Sequence, residues 1–331
     1  MSIRVVFLGT PEFAVPTLRE LLADPQVEVT GVVTQPDRPA GRGRKLTPPP
    51  VKVLALEHDL PVYQTRSLRK DPQALAWIRE HRPDVMVVAA FGQILPPEYF
   101  RLPRHGTLNV HASLLPKYRG ASPIAKAIME GEKETGITIM RIAAGLDSGD
   151  MLTRCRVPIP QNITRGELEP ILAEEGARLL IETLPKWIGG EIDPQPQDDD
   201  QATLAPMMKK ADGVVDWNES ARRVHDHIRA LNPWPGGQTF FRGQLLKLWG
   251  SRLDAHDFEG VPPQGSRGER ARPGQITAVT SGGLSVRCGD GRDLLLTVVQ
   301  PPNRKRLAAY DFANGFAVHP GEVLGEEEQA S

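Results

Sequence analysis

Residues 84–92 read DVMVVAAFG, an apolar run that is rich in valine and ends in glycine. Such a run is typical of a strand that is buried on both faces of a parallel sheet. Similar runs at 3–9, 27–33 and 106–112 are separated by segments with helical spacing of apolar residues. Strands that alternate with helices predict an α/β fold with a doubly wound, mostly parallel sheet.

The composition changes near the middle of the chain. Residues 189–203, GGEIDPQPQDDDQAT, are rich in Gly, Pro and Asp and have no periodicity, which predicts a linker. Beyond it, short β-rich runs separated by turn signals predict a small barrel or sandwich. We therefore expect an α/β domain over 1–188, a linker over 189–206, a smaller β domain over 207–318 and an acidic tail over 319–331.

Charge is distributed unevenly along a chain whose formal net charge is −1. Residues 207–321 contain 16 Lys and Arg against 11 Asp and Glu, and the following residues add four Glu and no base. The second half is therefore mildly basic until its tail, which permits a nucleic-acid partner without requiring one.

Cysteine usage and hydropathy indicate the compartment. Cys155 and Cys288 are far apart in sequence, as expected for reduced thiols in the cytoplasm. The N-terminal MSIRVVFLGTPEF predicts a first strand rather than a signal peptide. No apolar run approaches the roughly 20 residues that span a bilayer. We expect a cytoplasmic protein without a membrane partner, and a monomer, because no feature suggests an obligate partner.

Residues 109–120, NVHASLLPKYRG, suggest a functional site at the end of a strand. Asn109 and His111 are two residues apart in the predicted strand, so their side chains share one face. In open α/β sheets, ligands bind beyond the carboxyl ends of the strands. Both side chains should therefore point into such a crevice. The alternative is a strand-end amide with local hydrogen bonds and a surface histidine.

A second candidate is the loop AAGLDSGDML at 143–152, which contains two aspartates among glycine and serine. Gly145 and Gly149 allow tight turns that bring the backbone close to a ligand. A carboxylate such as Asp147 could then reach a neighbouring strand end and orient an imidazole there. An ordinary Asp-Gly turn is the alternative.

A third candidate is the basic loop TQPDRPAGRGRKLTPPPVK at 34–52. It is not a dinucleotide-binding fingerprint, because its glycines do not follow the first strand or open a helix. Glycine together with Arg38, Arg42, Arg44 and Lys45 suits contact with phosphates. The alternative is a solvated loop without function.

Seven motifs occur in an order and spacing that resemble the methionyl-tRNA formyltransferase branch of the 10-formyltetrahydrofolate-dependent formyltransferase family. They are GTPEFA, TQPDRPAGRGRKL, FGQILP, NVHASLLPKYRGASPI, ETGITIM, GLDSGDML and LNPWPG. The resemblance extends from Arg4 to about Val318. It implies a Rossmann-like catalytic domain followed by a smaller OB-like tRNA-binding barrel. It also implies an enzyme of translation initiation that transfers a formyl group from 10-formyltetrahydrofolate to the α-amino group of methionyl initiator tRNA.

The resemblance also assigns roles to individual positions. The family's catalytic residues are matched by Asn109, His111 and Asp147, and its folate-binding turn by Ser113, Leu114, Leu115 and Pro116. Arg42 matches a loop arginine implicated in tRNA binding, and Arg44 and Lys45 beside it are expected to contribute. The sequence departs from the usual pattern at Ala112 and Tyr118, where Gly and Trp are more common.

Formyl transfer from an amide to an amine passes through a tetrahedral oxyanion. An Asn amide and a His ring can donate to that oxygen, and Asp147 can stabilise an imidazolium or accept the amine proton. This chemistry needs no metal, and His225 and His227 do not share a helix face that could hold one. Two alternatives remain: a formyltransferase with a small acceptor such as glycinamide ribotide or an amino sugar nucleotide, and a non-catalytic RNA-binding protein that uses the barrel alone. The basic loop and the added β domain favour the tRNA acceptor.

Overall fold

The computed structural model describes residues 2–40, 45–253 and 271–325. The chain divides into two compact units. The first comprises Met1–Pro123, Glu134–Pro158 and Glu169–Pro206, and the second comprises Ile124–Lys133, Ile159–Leu168 and Met207–Ser331. Two short segments that the sequence assigns to the first domain therefore cluster with the second unit. The proposed linker 189–206 clusters with the first.

The strands of the first unit, in the described ranges, are β1 (Ile3–Gly9), β2 (Val27–Thr34), β3 (Arg38–Ala40), β4 (Lys45–Thr47), β5 (Val62–Gln64), β6 (Val85–Ala89), β7 (Thr107–His111), β8 (Glu134–Arg141) and β9 (Met151–Pro158). Across both units, the helices are α1 (Val15–Ala23), α2 (Pro50–Glu57), α3 (Pro72–Glu80), α4 (Pro97–Phe100), α5 (Pro123–Met129), α6 (Arg165–Ile188), α7 (Ala221–Ala230) and α8 (Ala309–Gly315). None of these helices combines the length and the apolar character needed to cross a membrane.

The main sheet of the first unit has the strand order β5-β2-β1-β6-β7-β8-β9. Strands β5, β2, β1, β6 and β7 run parallel, whereas β7 with β8 and β8 with β9 pair antiparallel. Every residue of β6 is buried, as expected for a continuous apolar run in the middle of a parallel sheet. Strands β3 and β4 pair antiparallel with each other in a separate two-stranded sheet.

Helix α3 begins where the sequence supplies a cap. Pro72 opens α3, and the Asp71 side chain accepts a hydrogen bond from the Ala74 N–H, which satisfies a donor that the first helical turn leaves free. Ile78 of this helix is fully buried against Met86 and neighbouring core residues. This packing fixes the helix on the sheet and leaves the carboxyl ends of the parallel strands to the connecting loops.

The second unit contains an antiparallel sheet built from β10 (Gly237–Phe241), β11 (Gln244–Arg252), β12 (Ile276–Thr280), β13 (Gly283–Arg287), β14 (Asp293–Gln300) and β15 (Leu307–Ala308). Its order is β10-β11-β14-β13-β12, and β15 pairs with β14. The predicted fold class, a mostly parallel α/β sheet followed by a smaller β domain, is confirmed.

Residues from the start of the predicted acidic tail take part in this second unit. Leu324 forms a bridge with Phe241 of β10, and Val323 forms one with Gln275, just before β12. Leu324 is also buried in the core of the unit. This segment therefore connects the two outer strands of the sheet, and packed structure continues to Gly325.

Candidate active site

The His111 ring lies at the end of β7 and is almost completely buried, with 5 % of its surface exposed. Its Nε2 lies 3.0 Å from the Tyr118 carbonyl oxygen. Because a carbonyl can only accept, we assign the proton to Nε2, which donates to Tyr118. The other ring nitrogen, Nδ1, lies 3.6 Å from Oδ2 of Asp147. Nδ1 is therefore the ring atom that can gain or lose a proton beside a carboxylate.

Asp147 reaches His111 because the loop between β8 and β9 folds back along β7. In the antiparallel register, His111 lies opposite Thr138, whereas Leu108 lies opposite Arg141, the last residue of β8. From there the loop must return by three residue positions, about 10 Å at the usual rise of a strand. Asp147 itself adopts a left-handed φ of 44°. The predicted approach of this loop to a strand end is thus present in the structure.

The Asp147 carboxylate is held from a second side by the main chain of Gly120, which follows Lys117 and Arg119. Its Oδ2 accepts a hydrogen bond of 2.9 Å from the Gly120 N–H. Gly120 has a φ of 125°, and a Cβ there would lie 2.6 Å from the Ala205 carbonyl oxygen. Only glycine fits this position, so the donor to Asp147 depends on close backbone packing.

Asn109 is half-buried in the same strand, two residues before His111, and its side chain therefore belongs to the same face of the sheet. No hydrogen bond or ion pair joins its side chain to another residue in the ranges that the structure describes. An amide at a strand end with unused donors can serve a ligand. The structure thus provides an amide, an imidazole and a carboxylate from the predicted trio, with the last two in direct proximity.

The turn predicted to bind folate is held by hydrogen bonds to Thr138 of β8. The Thr138 hydroxyl donates to the Ser113 carbonyl oxygen at 2.7 Å and accepts from the Leu115 N–H at 3.1 Å. The Ser113 hydroxyl donates to the Lys117 carbonyl oxygen at 2.6 Å. Ser113 and Leu115 are fully buried, whereas Leu114 and Pro116 are partly exposed. A ligand can therefore meet Leu114, Pro116 and main-chain atoms, while Ser113 shapes the turn.

The basic loop is anchored where it leaves the sheet. The Lys52 ammonium lies 2.9 and 3.0 Å from the two Asp37 carboxylate oxygens and 2.8 Å from Oε1 of Gln64. Hydrogen bonding to Lys52, and then to Gln64, lowers the pKa of Asp37. Lys45 is exposed in β4. The predicted tRNA-binding residues Arg42 and Arg44 lie outside the described residues.

Sequence reasoning missed the residues that hold these loops together. Gln197, from the proposed linker, donates 2.7 Å hydrogen bonds to the carbonyl oxygens of Asp147 and Gly149. Its own Oε1 accepts from Nε of Arg119 at 3.0 Å. The surrounding PQPQDDD composition indicates only coil, so no pattern distinguishes Gln197 from its neighbours. The hydrogen bonds of Thr138 to the folate turn could not be predicted either, because a threonine within a strand has no distinctive spacing.

The two histidines that the sequence places on one helix, His225 and His227, both lie on α7. The His225 ring contacts the Ser251 hydroxyl at 2.9 Å and the Gln161 carbonyl at 3.1 Å, and burial lowers its pKa. Burial also lowers the pKa of His227. Within the described ranges, no three or more His, Cys, Asp or Glu side chains are grouped as metal ligands would be.

An imidazole–carboxylate pair at a strand end lies where doubly wound sheets bind ligands, and both groups can transfer protons. Comparison with protein families then identifies the kind of enzyme. Residues 3–184 match the formyl transferase model, and residues 207–317 match the model of the formyl transferase C-terminal domain. The chain belongs to the formyl transferase family.

Curated relatives are similar over almost their whole length. The chain is 45% identical over 325 residues to the methionyl-tRNA formyltransferase of Geobacter sulfurreducens, covering 98% of both chains. It is also 45% identical over 322 residues to the methionyl-tRNA formyltransferase of Bacillus subtilis, covering 97% of this chain and 98% of that protein. The similarity therefore includes both units.

Solved structures support the fold. A sugar 3N-formyl transferase, WlaRD, aligns with a TM-score of 0.64 at 18% identity, covering 92% of this chain and 100% of that one. The methionyl-tRNA formyltransferase from Clostridium thermocellum aligns with a TM-score of 0.53 at 14% identity, covering 76% and 93%. HypX from Aquifex aeolicus in complex with tetrahydrofolic acid aligns at 0.60 and 16% identity, covering 97% of this chain and 49% of HypX. At these identities the likeness concerns the fold.

Proposed function

We propose that the protein transfers the formyl group of 10-formyltetrahydrofolate to the α-amino group of methionyl initiator tRNA. The observation that carries this proposal is the combination of a His111–Asp147 pair with 45% identity to methionyl-tRNA formyltransferases over nearly the whole chain. The pair provides the chemistry, and the full-length similarity points to the acceptor.

The reaction replaces one carbon–nitrogen bond by another. The neutral amine of methionine attacks the formyl carbon, and the carbonyl oxygen becomes an oxyanion. Asn109 and protonated Nδ1 of His111 donate to that oxygen, where removal of one donor typically costs about 3–4 kcal/mol of barrier. The bond from the formyl carbon to N10 of the folate then breaks. The amine loses one proton in total, and N10 gains one.

Asp147 has two compatible tasks in this scheme. Its carboxylate faces Nδ1 of His111 and keeps that side of the ring turned towards the reacting group. It can also take the amine proton, directly or through one water, because its side chain is one-fifth exposed. Transfer is direct: the Ser113 hydroxyl is buried and already donates to Lys117, so it is poorly placed to serve as a covalent nucleophile.

The co-substrate fits the open side of the turn. The unused amide of Asn109, the partly exposed Leu114 and Pro116, and the main chain between them combine apolar surface with hydrogen-bonding groups. A folate needs this combination, because its ring system is flat and its edges are polar. We propose that Ser113 and Leu115 act through the shape of the turn.

Acceptor recognition is assigned to the basic loop and the second unit. We propose that Arg42, Arg44 and Lys45 contact the acceptor end of the tRNA. Arg304, Lys305 and Arg306 are exposed beside β15 and can add contacts with backbone phosphates. Such contacts weaken steeply with rising salt. We also propose that the protein is cytoplasmic and monomeric, and light scattering of the purified chain tests the monomeric state.

The direct test supplies purified protein with 10-formyltetrahydrofolate and three kinds of acceptor: methionyl initiator tRNA, glycinamide ribotide and an amino sugar nucleotide. Mass spectrometry of the released amino acid should detect formyl-methionine, with little formylation of the small acceptors. Formylation of a small acceptor alone would assign the protein to another branch of the family. The absence of any transfer would contradict the enzymatic proposal.

The loop assignment has its own test. Arg42→Ala should lower the rate with tRNA at sub-saturating concentration while leaving folate binding unchanged. Arg69 is an exposed arginine of the first unit outside the loop, so Arg69→Ala is the matched control. Equal tRNA rates for Arg42→Ala and the unmodified protein would refute the role of the loop arginine.

A further inference from the structure

The proposed linker includes a segment that forms main-chain hydrogen bonds with Met151, at the start of β9, and with Arg119, after the folate turn. Residues 195–205, here called the strap, make main-chain contacts at their two ends. Near the first end, the N–H and carbonyl of Gln195 pair with those of Met151, at 2.8 Å each. Near the other end, Thr203 and Ala205 pair with Arg119, also at 2.8 Å. The strap thus connects the start of β9 with the segment after the folate turn.

Gln197 lies between these two attachments and is half-buried. Its Nε2 donates to two carbonyl oxygens of the loop between β8 and β9, those of Asp147 and Gly149, each at 2.7 Å. Both hydrogens of the amide group are therefore used on the loop that must fold back over β7. A Cβ at Gly149 would collide with the Arg141 carbonyl oxygen, so the loop passes through a narrow space at this point.

The orientation of the Gln197 amide is fixed by Arg119. Nε of Arg119 donates to Oε1 of Gln197 at 3.0 Å, and Nη2 of Arg119 lies 2.8 Å from Asp199. If the amide were flipped, its oxygen would face two carbonyl oxygens and its NH₂ would face a guanidinium. The observed orientation is the one in which every contact pairs a donor with an acceptor.

We propose that Gln197 is a positioning residue for the transfer reaction, which holds the Asp147 loop so that the carboxylate faces His111. It touches neither substrate nor reacting atoms and acts through the main chain of Asp147. This inference rests on the proposed function for its kinetic consequence, but its geometric part does not. The Gln197 side chain is thus the part of the strap that supports the active site.

Gln197→Glu tests the proposal with almost no change in shape. The carboxylate keeps an acceptor for Arg119 but loses both donors to the loop. Gln195→Glu is the matched control, because it makes the same substitution two residues earlier, where the side-chain amide donates only to the Asp193 carbonyl. We expect kcat to fall on the order of 100-fold in Gln197→Glu, as for a misplacement of about 1 Å, and to stay within about twofold in the control. KM for the formyl donor should change by less than about threefold in both.

A double-mutant cycle separates positioning from general loss of structure. If Gln197 acts through Asp147, Gln197→Glu should cause no further loss of kcat in an Asp147→Asn background. An equal loss in both backgrounds would overturn the proposal. An undiminished kcat in Gln197→Glu with the native Asp147 would overturn it as well.

Hydrogen exchange gives a reading that does not depend on substrate. The Gly120 N–H donates to the Asp147 carboxylate, so displacement of the loop exposes it. Exchange at Gly120 should accelerate at least tenfold in Gln197→Glu and remain unchanged in Gln195→Glu. Unchanged exchange in Gln197→Glu would refute the positioning role. If the unmodified protein formylates no tRNA, the proposed function fails while this measurement still decides the geometry.

Discussion

Replacement of Asn109 by Ala should lower kcat strongly while leaving the free energy of unfolding almost unchanged. Its side chain is half-buried and contacts no hydrogen-bond partner within the described chain, so truncation to Ala orphans no internal group. The free energy of unfolding should therefore change by less than about 1 kcal/mol. If the amide donates to the oxyanion, its loss should raise the barrier by about 3–4 kcal/mol. At 1.36 kcal/mol for each factor of ten, kcat should fall by roughly 150-fold to 900-fold.

Single-turnover formylation at saturating substrate measures the kinetic effect, and urea titration measures stability. Asn109→Asp keeps the shape and removes the donor, so it should be at least as slow as Asn109→Ala. Thr107→Val is the converse control on the same strand face. The Thr107 hydroxyl donates to the buried Phe100 carbonyl at 3.1 Å, so its loss should cost about 1–3 kcal/mol of stability and leave kcat intact. An Asn109→Ala enzyme within threefold of the normal kcat would refute the donor role.

Three further predictions concern the second unit and the two cysteines. Asp226→Asn removes the anionic partner of the Arg229 guanidinium, and both side chains are almost completely buried. The free energy of unfolding, measured by urea titration, should therefore fall by about 3–5 kcal/mol. A fall below about 1 kcal/mol would contradict the importance of the pair. Burial lowers the pKa of His225, so the unfolded chain takes up a proton that the folded chain excludes, and stability should fall as the pH drops below about 6.5. His225→Gln should remove up to about 1.4 kcal/mol per pH unit of that slope, whereas an unchanged slope would argue against this histidine. Burial raises the pKa of both thiols, and that of the fully buried Cys288 to about 12. A thiol reagent at about pH 8 should therefore modify the partly exposed Cys155 first and spare Cys288 until the protein unfolds. Equally rapid modification of both would be inconsistent with the fold.

The parallel core could be predicted from sequence because continuous apolar runs have few other solutions. Asn109 and His111 could be placed on one face because strand periodicity is two residues, independent of what the strand packs against. The direction of β8 and β9 could not be predicted. An antiparallel edge and a further crossover differ in long-range pairing, which local composition does not encode.

The contact between His111 and Asp147 was predicted as a possibility, but its geometry was not. The return of the loop along β7 depends on the strap, and the strap is recognisable only from its hydrogen bonds. Coil segments rich in Pro, Gly and Asp have no periodicity from which a partner can be read. For the same reason, the pairing of Val323 and Leu324 with the outer strands was hidden beside an acidic tail.

A rapid-quench experiment with a radiolabelled formyl donor and methionyl initiator tRNA tests the central claim most directly. It follows the label on folate, protein and methionine during one turnover. The proposed direct attack by the amine predicts that label passes from folate to the methionine amine with no protein-bound formyl group at any time. An isolable formyl-enzyme that forms and decays at the rate of product formation would contradict it, as would label that never reaches methionine.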